Sequence, residues 1–185
     1  ITTKKGSGDK LKISANAVLS TQTKTDVLDV LSRDQFVNLV NTKGTTAQKA
    51  LLGDANTDWN DEIYRSAFGL DANLSIMGRF SATVPFRVSL GFYDQNGLLQ
   101  KDYAKRITNN ISVSPSFFNN DLKINVNLKS SLNFNRFAQT NAIWGAATYN
   151  PTVPVYSGND SYGGYNEALD ATGRPVNGGV PNPRG

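Results

Sequence analysis

The chain has 185 residues, enough for one ordinary domain with its own core, and its composition is polar but weakly charged: 38% hydrophobic, 18% charged, with 16 Gly and abundant Asn, Ser and Thr. Nineteen Lys and Arg against 15 Asp and Glu give a net charge of +4, but the basic residues are scattered rather than gathered into a stripe, so no nucleic-acid partner is expected. The sequence has no His and no Cys, which excludes histidine-dependent triads, zinc sites, thiol nucleophiles and disulfides within it.

No run of about 18 apolar residues is present to make a transmembrane helix, and nothing at the start reads as a signal peptide. The first residue is Ile1, so the sequence is expected to begin inside a longer polypeptide.

From Asp9 the pattern has period two. Leu11, Ile13, Ala15, Ala17 and Leu19 alternate with Lys12, Ser14, Asn16, Val18 and Ser20, predicting a strand with one apolar face. Residues 21–69 lose the alternation and carry three helix starts. Ser32 or Asp34 could cap a turn through Phe36, Val37, Leu39 and Val40; Thr45 one through Ala47, Ala50 and Leu51; Asp58 one through Ile63 and Ala67.

Alternation returns with Ala72, Leu74, Ile76, Gly78 and Phe80, turns at Val84-Pro85, and resumes with Phe86, Val88, Leu90 and Phe92. Asn96-Gly97 is a hairpin signal. A fourth strand is expected over residues 99–117, carrying Ile107, Ile111 and Val113, then a turn at Asn119-Asn120-Asp121. The last, Leu122 to Asn135, is the cleanest and is expected to be centred near Val126 and Leu128. Residues 137–185 are rich in Gly, Pro, Asn and Tyr and read as a long irregular loop.

Five strands result, several of 12 or more residues by pattern, where 9 to 11 suffice to cross a bilayer. The predicted fold is all-β: antiparallel up-and-down strands forming part of a transmembrane β-barrel, with short helices in a long loop. The connections at Pro85 and Asn120 fall on one side, expected to face the periplasm. Loop 21–69, the Asn96 hairpin and loop 137–185 fall on the other, expected to be extracellular.

Few motifs carry chemistry. Asp54, Asn56 and Asp58 have the spacing of a calcium loop, but Trp59 replaces its glycine and Arg65 its closing Glu, so Asp58 is read as a helix cap. Asp61 and Glu62 are adjacent on a short helix and cannot face one another as a glycosidase pair. Gly6-Ser7-Gly8 reads as a flexible joint, and the glycine-rich stretch 158–164 lacks the Lys-Ser/Thr of a phosphate loop. Trp144, Tyr149, Tyr156 and Tyr162, with Tyr165, crowd one loop and are the candidates for stacking on a substrate's sugar rings. No catalytic residue, metal or cofactor is expected.

Several stretches resemble the SusC/RagA family of TonB-dependent outer-membrane transporters of Bacteroidetes. Ile1-Thr2-Thr3-Lys4-Lys5-Gly6 looks like the end of that family's plug domain; Asp29-Val30-Leu31-Ser32 and residues 53–67 (GDANTDWNDEIYRSA) resemble its first long loop. Residues 73–76 and 85–92 (PFRVSLGF) are similar to the following hairpin, and Ser114-Pro115-Ser116-Phe117-Phe118 to the next turn, whereas Met77-Gly78-Arg79 departs from the family's glycine pair. The resemblance implies residues 1–8 as the end of the plug, residues 9–136 as the first five barrel strands and residues 137–185 as an extracellular loop. It also implies a barrel in outer-membrane lipid, a SusD-like surface lipoprotein as partner, and TonB-driven uptake of glycans or oligopeptides, with the TonB contact lying in parts absent from this sequence. A secreted carbohydrate-binding β-sandwich is the alternative, because its strands also have one apolar and one wet face.

Overall fold

The computed structural model describes residues 10–158, 160–170, 172–174 and 181–184. Residues 1–6, which carry the plug-like motif, and the Gly6-Ser7-Gly8 joint lie outside them. The chain divides into two compact units: one of residues 1–22, 67–97 and 101–137, the other of residues 23–66, 98–100 and 138–185.

The first unit is a five-stranded antiparallel sheet in the order β1-β2-β3-β4-β7. Its strands are β1 (Lys12–Gln22), β2 (Ala67–Arg79), β3 (Pro85–Asn96), β4 (Tyr103–Val113) and β7 (Val126–Arg136), each 11 to 13 residues long. A minor hairpin, β5 (Ser116–Phe117) with β6 (Leu122–Lys123), projects from the β4–β7 connection. The continuous strand expected from Leu122 is therefore split. Pro115 has no N–H to extend the ladder, its carbonyl accepts from the Ile124 amide (3.0 Å), and the main ladder stops at the Val113–Val126 pair. Phe118, Asn119 and Asn120 reverse the chain in left-handed conformation (φ 52°, 54° and 78°), a turn the two asparagines tolerate and Phe118 does not prefer.

The Asn96-Gly97 signal marks the turn but not its type. Asn96 pairs with Tyr103, leaving the six residues Gly97 to Asp102 outside the ladder, closed by the Gly97 amide donating to the Asp102 carbonyl at 2.9 Å. Leu98 to Gln100 belong to the second unit, where Leu99 bridges to Tyr64.

The register sorts the side chains into two faces. On the apolar face, Ile13, Ile76, Val88, Ile111 and Leu128 form one row across all five strands, and Ala17, Ala72, Phe92, Ile107 and Leu132 another. The row between them, Ala15, Leu74, Leu90, Asn109 and Ser130, turns polar at its β4–β7 end. Among the described residues the edge-strand side chains of this face are largely exposed, Ile13 at 62%, Leu128 at 57% and Leu132 at 59%, while Ile76, Val88 and Ile111 between them are half-buried. Ala67 is the only buried hydrophobic residue of the sheet unit among the described residues.

The second unit holds its own small core. Helix α1 (Arg33–Lys43) starts at a Ser32–Gln35 capping box and α2 (Thr46–Lys49) at a Thr45–Gln48 box, while α3 (Trp59–Ile63) is capped by the Asp58 carboxylate, which accepts from the amides of Asn60 and Asp61. Asp58 is thus a cap, as its sequence context indicates. Residues 137–185 are not the irregular loop expected: they contain helix α4 (Asn141–Thr148), whose N-cap Thr140 makes no side-chain cap hydrogen bond and whose interior carries Gly145, an unfavourable helix residue. Gly145 is explained by packing, because a Cβ there would meet Pro183 at 3.2 Å.

Trp59, Ile63 and Ala146 are the buried centre, surrounded by Tyr64, Leu99, Ile143, Tyr149 and Val153. The Trp59 indole N–H donates to the Asn150 carbonyl (3.0 Å), and Thr57 Oγ1 to that of Val153 (2.7 Å), tying the chain before α3 to the exit of α4.

Among the described residues β1 and β7 each pair on one side only. Two 11-residue unpaired edges and an uncovered apolar face are strong association signals. Residues 1–185 expressed alone are therefore expected to aggregate or require detergent; a sharp thermal unfolding transition of a detergent-free monomer would contradict this.

Candidate functional site

Within the second unit a groove of about 840 Å3 runs between the segment preceding α1, the segment preceding α3, and α4 with its exit. Leu28, Val30 and Leu31 supply an apolar strip on one side, Trp59 and Phe36 line it deeper, and Trp144 stands on the α4 side. Trp144 is 68% exposed, so most of its ring face is open to a stacking partner. Tyr149 also lines the groove, but it is half-buried: its ring meets Trp59 edge-on at 4.8 Å and its hydroxyl donates to the Asn166 carbonyl at 2.8 Å. Burial, reinforced by the nearby Glu167 carboxylate, pushes the Tyr149 hydroxyl up to about 12.

The other two sequence candidates stand away from the groove. Tyr156 stacks on Tyr165 (5.2 Å between centroids) in a small antiparallel bridge, and the Tyr162 hydroxyl donates to the Gly173 carbonyl at 3.1 Å. Of the four aromatic candidates, the fold brings Trp144 and Tyr149 together on one surface and leaves Tyr156 and Tyr162 outside it. Val30 and Leu31 lie in the stretch that resembles the family's first long loop, but a binding surface was not expected there; the local signal is a short apolar run with neither helical nor strand period.

The acidic residues have structural work. Asp61 takes an ion pair from Lys24 at 2.5 Å, which holds the Lys24 ammonium above its ordinary range, while Glu62 pairs with Arg184 at 3.3 Å. Each carboxylate has its own cation, so the two do not converge on a common substrate. Asp170 is held below the ordinary carboxylate range by hydrogen bonds from the Thr172 hydroxyl and the amides of Arg174 and Thr172. Among the described residues no group of three or more Asp and Glu is gathered closely enough to hold a metal ion.

The sheet unit offers a second concave surface. On the polar face a basin of about 660 Å3 lies over Gly91, walled by Ser75, Arg87, Ser89, Asn110 and Lys129. A Cβ at Gly91 would sit 2.4 Å from Thr108 Oγ1 and 3.0 Å from Asn73 Oδ1, so the basin floor needs glycine.

No protein-family model matches the chain. The chain is 41% identical over 177 residues to the TonB-dependent receptor SusC of Bacteroides thetaiotaomicron, an alignment covering 93% of this chain and 18% of that receptor. It is 27% identical over 183 residues to the TonB-dependent receptor P26 of Formosa agariphila, covering 91% and 18%. In structure it is similar to the RagAB peptide transporter, with a TM-score of 0.65 at 15% identity over 98% of this chain and 24% of that one. The RagAB peptide importer in its open-open state gives 0.58 at 18% identity over 74% and 19%.

Tyr149 provides a direct check on the packing of the groove floor. Its hydroxyl titrates higher in the folded chain than when unfolded, so its contribution to stability is complete below pH 10 and is lost as the pH rises through about 12. In the full-length receptor, the tyrosinate absorbance removed by Tyr149→Phe should develop near pH 12; development near pH 10 would mean the ring is solvated.

The chain spans about a fifth of the length of the receptors it matches, and over that span it is similar to SusC-like TonB-dependent receptors.

Proposed function

We propose that the chain is a stretch of the transmembrane wall, with two outward loops, of a TonB-dependent outer-membrane transporter that imports glycans or oligopeptides together with a SusD-like surface lipoprotein. The observation that carries this reading is the five-stranded sheet: five long up-and-down strands, an apolar face with many of its large side chains exposed among the described residues, and a polar face opposite. A β-sandwich would set a second sheet of similar size against that apolar face, and the only other sheet among the described residues has two strands of two residues. In a barrel the same face meets lipid and the polar face lines the lumen. Residues 21–69 and 137–185 are the extracellular loops in this topology, and the groove beside Trp144 is where a ring or a peptide side chain would rest. The kinship with SusC-type receptors supports the TonB dependence, and a partner of the SusD kind follows from that kinship.

The test uses the middle of β7. Because the strand begins at Val126 rather than at Leu122, its midpoint lies near Ser131, and Val126 is at one end. Leu132→Arg on the apolar face should cost about 2 to 4 kcal/mol, and Asn133→Arg on the polar face should cost little. A nitroxide at position 132 of the full-length receptor should be quenched by lipid-soluble oxygen; inaccessibility to both oxygen and a water-soluble nickel chelate would place it in a packed protein core and overturn the barrel. On intact cells, a cysteine at Ser157 should react with an impermeant reagent and one at Asn120 should not. The reverse pattern would invert the topology.

A further inference from the structure

Three residues outside the groove beside Trp144 hold its walls. Asn182, Pro183 and Arg184 line none of it, yet Asn182 and Pro183 are buried and each of the three is tied to an element that does. The Asn182 amide donates to both carboxylate oxygens of Glu167 (3.1 Å each), its Nδ2 to the carbonyls of Val155 (2.9 Å) and Asn166 (3.0 Å), and its Oδ1 accepts from the Arg184 amide at 3.0 Å. The Asn166 carbonyl is also the acceptor of the Tyr149 hydroxyl, and the Tyr149 ring lines the groove.

Pro183 lies against α4 at Gly145, where a Cβ would meet its Cγ at 3.2 Å. Trp144 is the residue next to it in the helix. Among the described residues no ring packs on the Trp144 indole, so the α4 backbone decides where that indole stands. Arg184 completes the strap: its guanidinium donates to the Glu62 carbonyl and pairs with the Glu62 carboxylate at 3.3 Å, on the helix that carries Trp59. A ligand that stacks on Trp144 gains most from walls already in place, because ordering them during binding would draw on the binding free energy.

Resting on the reading of this groove as a ligand seat, we propose that Asn182 and Pro183 are positioning residues: one fixes Tyr149 through the shared Asn166 carbonyl, the other fixes α4 beneath Trp144, and together they set the affinity of the groove without touching what it binds. Asparagine suits position 182 because one short side chain supplies two donors and an acceptor in fixed directions. Gly145 suits the facing position because any side chain there would press on Pro183. Glycine is a poor helix residue, so α4 gives up helix propensity at the point where the strap is seated.

Two ligand-free signals of the purified full-length receptor test this. One is the tyrosinate absorbance removed by Tyr149→Phe; the other is the fluorine resonance lost in Trp144→Phe when the receptor is labelled with 5-fluorotryptophan. In Asn182→Ala the first should develop nearer pH 10 than about 12, and the second should shift. Asp170→Ala, which opens a separate turn closed on Thr172 and Arg174, should move neither. Gly145→Ala gives the sharper contrast and carries the test alone if Asn182→Ala does not assemble. Alanine is the better helix former, so an α4 that held itself in place would leave both signals unmoved, whereas displacement of Pro183 should move both in the direction of Asn182→Ala. Unmoved signals in Asn182→Ala or Gly145→Ala, or equal shifts in Asp170→Ala, would each overturn the proposal. Cellohexaose and a phenylalanine-containing hexapeptide then read the groove itself: whichever shifts the wild-type fluorine resonance should need roughly tenfold more ligand in Asn182→Ala, and equal affinity would overturn the positioning role. If neither shifts it, the ligand reading of the groove fails and the positioning role falls with it, which is distinguishable from failure of the strap because the ligand-free shifts persist.

Discussion

A sheet one layer thick cannot cover its own apolar face, and most of what is distinctive in this chain follows from that. The four ladders pair the backbone of β2, β3 and β4 on both sides, so the interior strands have no unmet main-chain groups to expose. The side chains, however, leave rows of Ile, Leu, Val and Phe open. In water each such residue forgoes roughly 1.5 to 3 kcal/mol of burial. In hydrocarbon that loss disappears, because acyl chains are as apolar as the side chains, and the remaining demand is that no backbone edge be left unpaired. The second unit answers a different demand: it closes around Trp59 with ordinary dry packing, and its helices are started by side-chain caps.

The polar departures on the apolar face follow the same physics. Asp94 and Lys105 oppose one another in the ladder and pair at 3.0 Å, with Lys105 also lying over the Tyr103 ring at 5.8 Å. This is the end of the sheet where Tyr103 and Arg136 form the last registered pair; in the proposed membrane wall it would lie at the interface, where amphipathic side chains are favourable. Asn109 and Ser130 are another matter. They face each other in register in the row between two apolar ones, and Asn109 Oδ1 is buried with no partner. In the proposed membrane wall such a polar pair would be tolerable only if its members or an adjoining strand satisfied it, and β7 has its outer side available for such a strand.

What the sequence revealed and what it hid divide by the range of the interactions. Strand faces, the three caps at Ser32, Thr45 and Asp58, and the turn at Asn119-Asn120 depend on residues within a few positions of one another, and these were legible. The β4–β7 register was hidden because alternation alone cannot show where a ladder stops: Leu122 and Ile124 continue the pattern, yet Pro115 and the left-handed turn divert them into a separate hairpin. Asn96-Gly97 misled for a similar reason, since Leu98 to Gln100 leave the hairpin to pair with Ile63, Tyr64 and Arg65. Helix α4 was hidden because its reason for existing, the seat of Ala146 beside Trp59 and of Gly145 beneath Pro183, lies far away in sequence. The same holds for the aromatic candidates: composition could gather Trp144, Tyr149, Tyr156 and Tyr162 in one segment, but only the packing shows which hydroxyls are already engaged.

Strand β3 shows how one short sequence specifies two environments at once. Phe86, Val88, Leu90 and Phe92 give one face the bulk and branching that fit a pleated apolar surface, whereas Arg87, Ser89, Gly91 and Tyr93 make the other face uneven. Glycine is a poor strand residue, and alanine at position 91 would raise intrinsic stability if the space above it were open. It is not open: Thr108 from β4 and Asn73 from β2 lean over the position from either side. The glycine lets those side chains approach and leaves a floor without a side chain between Arg87 and Lys129, so the chain gives up strand propensity at the point where its polar face is most cationic and least satisfied. Local preference and global use conflict there, and such conflicts mark positions held for what they contact rather than for the fold they sit in.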